Sequence, residues 1–275
     1  RCVARHAGLA AGFPIEIPGT VLQRNCASGL GALAHAAHSI TAGEGDVFIV
    51  GGVESMSRSP LIISRAENPF DRGIKMADTT IGPRFSNPKL AKQFGDHQMP
   101  QTADNLAREY GITREQADTF AAASQQKFAL AKGEGFFAGE ISPVEMPATR
   151  KGPVPAVTED EHPRPGTEIA ALAKMKTLYE GGVTTAGNAS GVNDGAVALV
   201  VGSLAAGEKA GAKPMARVIA SAAMGVRPDI MGIGPVAASQ KALARAGLEL
   251  KDMDIIEINE AFAAQVLACL KGLGV

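Results

Sequence analysis

The sequence predicts an α/β protein with a parallel sheet, and three observations predict it. Residues 46–53 (DVFIVGGV) and 194–202 (DGAVALVVG) are continuous apolar runs bounded by turn residues, the pattern of strands covered on both faces. A third run, residues 254–258 (DIIEI), leads into a helix. Helical stretches lie between these runs, and strands alternating with helices give a layered α/β class.

The elements follow in chain order. Residues 1–12 read as the end of a small-residue helix, 13–19 as a turn and 21–24 as a short strand. From Cys26 to Ala42 the chain is rich in Ala, Gly and Leu with scarcely a charge. A helix apolar all round is expected to be buried on all sides. Gly43 ends it. Residues 59–100 mix Pro, Asn, Arg and Asp without a clear period and read as a long excursion from the core. A helix spans residues 100–110. Thr113 and Gln116 form a capping box that starts an amphipathic helix to about Lys132. Residues 147–167 hold five prolines and many charges, so they read as surface loop. The last predicted elements are a helix over 235–246, the strand 254–258 and a helix over 260–270.

Composition bounds the function. A chain of 275 residues suggests about two domains. Apolar residues at 45% and charged residues at 20% are enough to bury a sizeable core. A net charge of −1 argues against a nucleic-acid partner, which calls for a basic excess or stripe. The three cysteines, Cys2, Cys26 and Cys269, are too few and too odd for a disulfide framework and fit a reducing, cytoplasmic compartment. No apolar stretch of about 18 residues exists, so no membrane span is expected. Arg1 opens directly into a helical pattern and the chain stops as a helix finishes, so both ends read as cut.

The chemistry centres on Cys26. It sits where the strand meets the apolar helix, and a helix N-terminus offers free N–H groups and a positive dipole end. Both favour the thiolate, the nucleophilic form. On position alone a small buried hydrophobe is an equal reading. The flanking words decide between them. Residues 21–30 (VLQRNCASGL) resemble the nucleophile segment of thiolases. In family order follow AGE at 42–44, GGVESMS at 51–57, MPQTADN at 99–105, TAGNASG at 185–191 with NDG at 193–195, MGIGP at 231–235 and NEAFA at 259–263. These ordered segments cover essentially the whole chain.

The resemblance implies roles residue by residue. Cys26 would attack a thioester or 3-ketoacyl carbonyl and become acylated, splitting one hard step into two. Asn259 would hold a water that helps stabilise the oxyanion, although on sequence alone it could simply cap the following helix. Ala186 and Ser190 would line the pantetheine arm of coenzyme A. Met99, Met231 and Phe262 would surround the reacting acyl group, where the bare sequence reads them as core. Arg164 falls near a basic residue that meets the adenine or phosphate of coenzyme A, though its Pro-rich loop also suits a solvated arginine. Coenzyme A would be a substrate, with no metal or redox cofactor. His35 and His38 share a helix face, but no Cys or carboxylate has ligand spacing to them, so they and His6, His97 and His162 read as packing or hydrogen-bonding residues.

Gln98 stands where short-chain biosynthetic thiolases carry histidine, which turns the expectation away from a short acetoacetyl substrate. Residues 78–88 resemble thiolases that act on 3-oxoadipyl-CoA. Arg84 could then meet a distal carboxylate, against a plain surface-loop reading. The implied fold is five-layer αβαβα, incomplete, with a loop domain inserted. Residues 1–62 and 192–213 would form the first half, 63–191 the loop domain and 214–275 the start of the second half. Complete thiolases also carry a Gly-His-Pro and a Cys-x-Gly segment, absent here, so the chain reads as an internal piece with little activity of its own. The whole enzyme would be a homodimer or homotetramer that binds CoA and acyl-CoA. Two other classes stay open: a thiolase-like CoA or lipid carrier without turnover, and a thiol redox protein using Cys26.

Overall fold

The computed structural model describes residues 2–81 and 85–275. In chain order the elements are α1 (Val3–Ala10), α2 (Ser28–Ala42), β1 (Val47–Glu54), β2 (Leu61–Ile63), β3 (Met76–Asp78), α3 (Pro88–Phe94), α4 (Met99–Tyr110), α5 (Arg114–Gly133), α6 (Ile169–Leu172), β4 (Gly195–Gly202), α7 (Leu204–Lys209), α8 (Gly234–Ala246) and α9 (Ala263–Leu273). Short 3₁₀ turns at Asn25–Ala27 and Pro228–Ile233 run directly into α2 and α8. The chain divides into two compact units.

The first unit comprises Arg1–Arg58, Asn193–Ser221 and Arg245–Gly247. Its centre is a two-stranded ribbon in which β1 and β4 pair antiparallel, from Val47 opposite Gly202 to Glu54 opposite Gly195. Gly51 permits the close approach, because a Cβ there would lie 2.5 Å from the Val197 carbonyl oxygen. α2 packs on the ribbon and stops at Gly43, whose φ of 77° suits glycine. The Ser203 amide donates to the Asp46 carbonyl at 2.8 Å and closes one end. The Ser57 amide donates to Asp194 Oδ1 at 2.9 Å and closes the other.

Three expectations are corrected here. The strands over 46–53 and 194–202 form but run antiparallel, because an apolar run signals cover and carries no direction. α2 is not buried all round: only Ala36 and Ser39 are buried, and Leu30 is 75% exposed. Residues 21–24 form no strand, since no ladder partner meets them among the described residues.

The second unit comprises Ser59–Val192, Ala222–Ala244 and Leu248–Val275. Its core is helical. Leu106 of α4, Ile230 and Ile233 of the 3₁₀ turn, and Ala268 and Cys269 of α9 form one buried cluster. Ala107, Ile112 and Ala264 form a second beside it. Gly232 lets the turn lie against α9, where a Cβ would meet Gln265 Cγ at 2.7 Å. The capping box of α5 forms as read: Thr113 Oγ1 accepts from the Gln116 amide and Gln116 Oε1 from the Thr113 amide. The excursion over 59–100 contains the β2–β3 hairpin and α3. Residues 254–258 form no strand among the described residues, and Ile255 is 77% exposed. α9 begins at Ala263, not at residue 260, because Phe262 is drawn into an antiparallel bridge with Ala189.

Candidate active site

In the first unit, Cys26 is exposed in the middle of the 3₁₀ turn that leads into α2. Its predecessor Asn25 holds φ at +46°, a left-handed conformation that non-glycine residues adopt at a cost and that clusters at functional sites. Ser28 secures this bend: its Oγ accepts from the Arg24 amide at 2.8 Å and donates to the Asn25 carbonyl at 2.7 Å. No side chain caps the start of α2, and the Ser28 amide donates to the Asn25 carbonyl.

In the second unit, two distant segments are stapled together. The Ser190 amide donates to the Ala261 carbonyl at 2.9 Å, and the Ala263 amide to the Asn188 carbonyl at 3.0 Å, which makes an antiparallel bridge between Ala189 and Phe262. Asn259, Ala186 and Ser190 are exposed on this platform. Asn259 precedes the Phe262 N-cap of α9 by three residues, so helix capping does not account for it. Glu260 is held by the Ser124 hydroxyl at 2.6 Å. Met231 sits in the 3₁₀ turn that packs on α4, and Met99 begins α4.

Beneath the platform lie two buried carboxylates. Asp104 Oδ1 accepts from the Val183 and Thr184 amides, each at 2.9 Å, and from the Thr184 hydroxyl at 2.7 Å. Asp118 Oδ1 accepts from Asn188 Nδ2 at 2.9 Å, and its Oδ2 from Arg114 Nε at 2.7 Å. The Arg114 guanidinium also donates to the Leu172 carbonyl and, at 3.1 Å, to that of Met175.

A surface groove in the same unit is lined by His97, Asn105, Arg108, Glu109, Arg227 and Asp229. Its charges are internally matched. Hydrogen bonds to Asp229 and Glu109 push Arg227 further up, and the bond from Arg227 holds Asp229 below the usual carboxylate range.

The family model for the thiolase N-terminal domain matches residues 1–205, and that for the thiolase C-terminal domain matches residues 212–275. The chain belongs to the thiolase family. It is 52% identical over 276 residues to a beta-ketoadipyl-CoA thiolase of Pseudomonas aeruginosa. It is 50% identical over 275 residues to the 3-oxoadipyl-CoA/3-oxo-5,6-dehydrosuberyl-CoA thiolase of Escherichia coli. Both alignments cover the whole chain and 68% of the relative. Among solved structures it resembles human mitochondrial 3-ketoacyl-CoA thiolase, at TM-score 0.86 and 38% identity over 99% of this chain and 68% of that one. It also resembles the acetyl-CoA acetyltransferase of Bacillus anthracis, at TM-score 0.87 with the same identity and coverage. The fold is therefore the thiolase-like α/β fold, and the activity is acyl transfer.

Within this thiolase, the second unit brings Ala186, Ser190, Asn259 and Phe262 onto one stapled platform, while Cys26 belongs to the first unit. Arg164 turns inward on its own loop: Nη1 donates to the carbonyls of Glu161, His162 and Pro163 at 2.6, 2.8 and 3.1 Å. Arg84 lies outside the described residues. Among the described residues no group of His, Cys, Asp or Glu has the arrangement of a metal site, and no helix is long and apolar enough to cross a membrane. The sequence reading missed Asp104, Asp118 and Tyr179. The Tyr179 hydroxyl donates to Gln98 Oε1 at 2.7 Å, beside Met99. A signal for the two aspartates existed. Asp104 falls in step with Ala107, three residues on, and Asp118 with Ala122, four residues on, so each carboxyl shares a buried side of its helix, where a polar group needs partners.

Proposed function

We propose that Cys26 is the nucleophile of this thiolase, attacking the 3-keto carbonyl of a 3-ketoacyl-CoA. The bond between the α-carbon and the attacked carbonyl breaks, which releases acetyl-CoA and leaves an acyl thioester on Cys26 for a second CoA to collect. The observation that carries this reading is the exposed thiol on a bend held by Ser28, in front of a helix start that no side chain caps. Asn259 supports the oxyanion through water. Met99, Met231 and Phe262 surround the acyl chain, Ala186 and Ser190 follow the pantetheine arm, and Arg164 lies toward the nucleotide end. Coenzyme A is the second substrate, and no metal or redox cofactor takes part.

The substrate is a dicarboxylic 3-ketoacyl-CoA of the 3-oxoadipyl type. Support comes from relatives about half identical that carry that specificity in their names, and from Gln98, bonded to Tyr179, where a short-chain enzyme would have histidine. Arg84 is the side chain proposed to meet the distal carboxylate. A cytoplasmic homodimer or homotetramer completes the reading, with residues 63–191 as a loop domain between two thiolase halves.

The test compares, in the full protein, CoA-dependent cleavage of 3-oxoadipyl-CoA and 3-oxohexanoyl-CoA, with Cys26→Ser as the blank. A preference for the dicarboxylic substrate that Arg84→Ala erases is the expected result. Equal rates, or a preference that survives Arg84→Ala, would remove Arg84 from the substrate's distal end.

A further inference from the structure

Asp118 is 1% exposed and Asp104 6%, as deeply buried as the core side chains around them. A charge is retained at such depth only where donors surround it. The donors are not scattered. Apart from Arg114, those given above come from Val183, Thr184 and Asn188, all in one short stretch of chain, although the two carboxylates stand on different helices.

That stretch is bridged to Phe262 at one end and is otherwise held through its buried side chains. Thr184 and Thr185 are 1% and 0% exposed, and Asn188 is 5%. Besides its bond to Asp118, Asn188 Nδ2 donates to the Val183 carbonyl at 3.0 Å, and its Oδ1 accepts from the Thr185 amide at 2.8 Å. Gly182 passes so close to Asp104 that a Cβ there would lie 2.1 Å from Oδ2. Ala186 and Ser190, by contrast, are exposed. A backbone fixed from beneath that presents two open residues is a preorganised binding edge, since the cost of ordering it is met before the ligand arrives.

We propose that Asp104 and Asp118 are positioning residues for coenzyme A: through Thr184 and Asn188 they fix residues 183–190 in the shape that meets the pantetheine arm. This rests on the reading of Ala186 and Ser190 given above. Asn188→Asp places an oxygen against Asp118 Oδ1 and against the Val183 carbonyl, with almost no change of volume. The exchange Asp118→Asn with Asn188→Asp restores a donor between the two side chains and leaves an oxygen for Arg114.

The experiment is calorimetric titration of the full chain with CoA, together with amide hydrogen exchange. Loss of a charge-assisted bond predicts a dissociation constant about tenfold higher for Asn188→Asp. The paired exchange should recover the part of that loss that belongs to the Asp118 contact, while the oxygen left against the Val183 carbonyl keeps the rest. Asp104→Ala, which leaves the Val183 and Thr184 amides and the Thr184 hydroxyl without their shared acceptor, should weaken binding in the same direction. Exchange should quicken in residues 183–190 while α5 stays protected. Two results would overturn the role: CoA affinity unchanged in both single variants, or a loosening that spreads equally through α4 and α5 and that the paired exchange does not repair. If the wild-type chain binds no CoA, the pantetheine reading falls and takes this role with it. Wild-type binding that the variants leave intact removes this role alone.

Discussion

At the residue scale the two cysteines at either end of the burial range behave oppositely. Cys26 is exposed, whereas Cys269 is 0% exposed and its Sγ donates to the Gly232 carbonyl at 3.2 Å. Burial pushes the Cys269 thiol up, more than the hydrogen bond from Gln265 pulls it down. A raised thiol stays protonated at neutral pH and is a poor nucleophile. Iodoacetamide on the folded protein should therefore label Cys26 well before Cys269, and urea should equalise them; peptide mapping of the alkylated chain checks this. Cys26 stood out in the sequence as the candidate nucleophile because the words around it are specific. For Asn259 the sequence left a helix cap open beside the oxyanion role that the resemblance implies. Only the start of α9 at Ala263 removes the helix-cap explanation. Asp104 and Asp118 escaped notice because an aspartate in an amphipathic helix is ordinarily read as part of the wet face, and only the fold reveals Thr184 and Asn188 waiting for it.

At the element scale, helix ends were the most legible features, since a cap is written in a few adjacent residues. Thr113 with Gln116, and Gly43, stand where local chemistry puts them. Strands were less legible. Residues 21–24 and 254–258 have strand composition, but a strand exists only with a partner, and pairing is a property of distant segments. The β1–β4 ribbon shows how such pairing is pinned. Asp194 accepts from the Ser57 hydroxyl and amide, and these bonds hold its carboxyl below the usual aspartate range. A depressed folded value contributes stability that is present above the ordinary aspartate range and is lost as pH falls through the folded value. Amide protection in β1 and β4 should therefore fall on acidification. In Asp194→Asn that acid limb should be shallower; an identical limb in the variant would assign the acid sensitivity to other carboxylates.

At the scale of the whole molecule, the α/β class followed from apolar runs alternating with helical periods, and the family from segments spread along the chain. Direction and coverage of the sheet did not follow, because hydropathy reports how much of a strand is covered and not by what. Val197 and Val200 on β4 are 59% and 74% exposed, although their run reads as fully buried. The chain spans 68% of the length of its relatives from Pseudomonas aeruginosa and Escherichia coli. The account of the molecule as a thiolase hangs on one bond, a thioester between an acyl group and Cys26 Sγ. The most direct measurement is to incubate the protein, in a form that carries the Gly-His-Pro and Cys-x-Gly segments of complete thiolases, with acetyl-CoA, quench in acid, digest, and locate the added mass by fragmentation. The account predicts one acetyl group, on Cys26, absent from Cys26→Ser and removed by added CoA. Acetylation at another residue, or none on Cys26 while acetyl-CoA is bound, would contradict it.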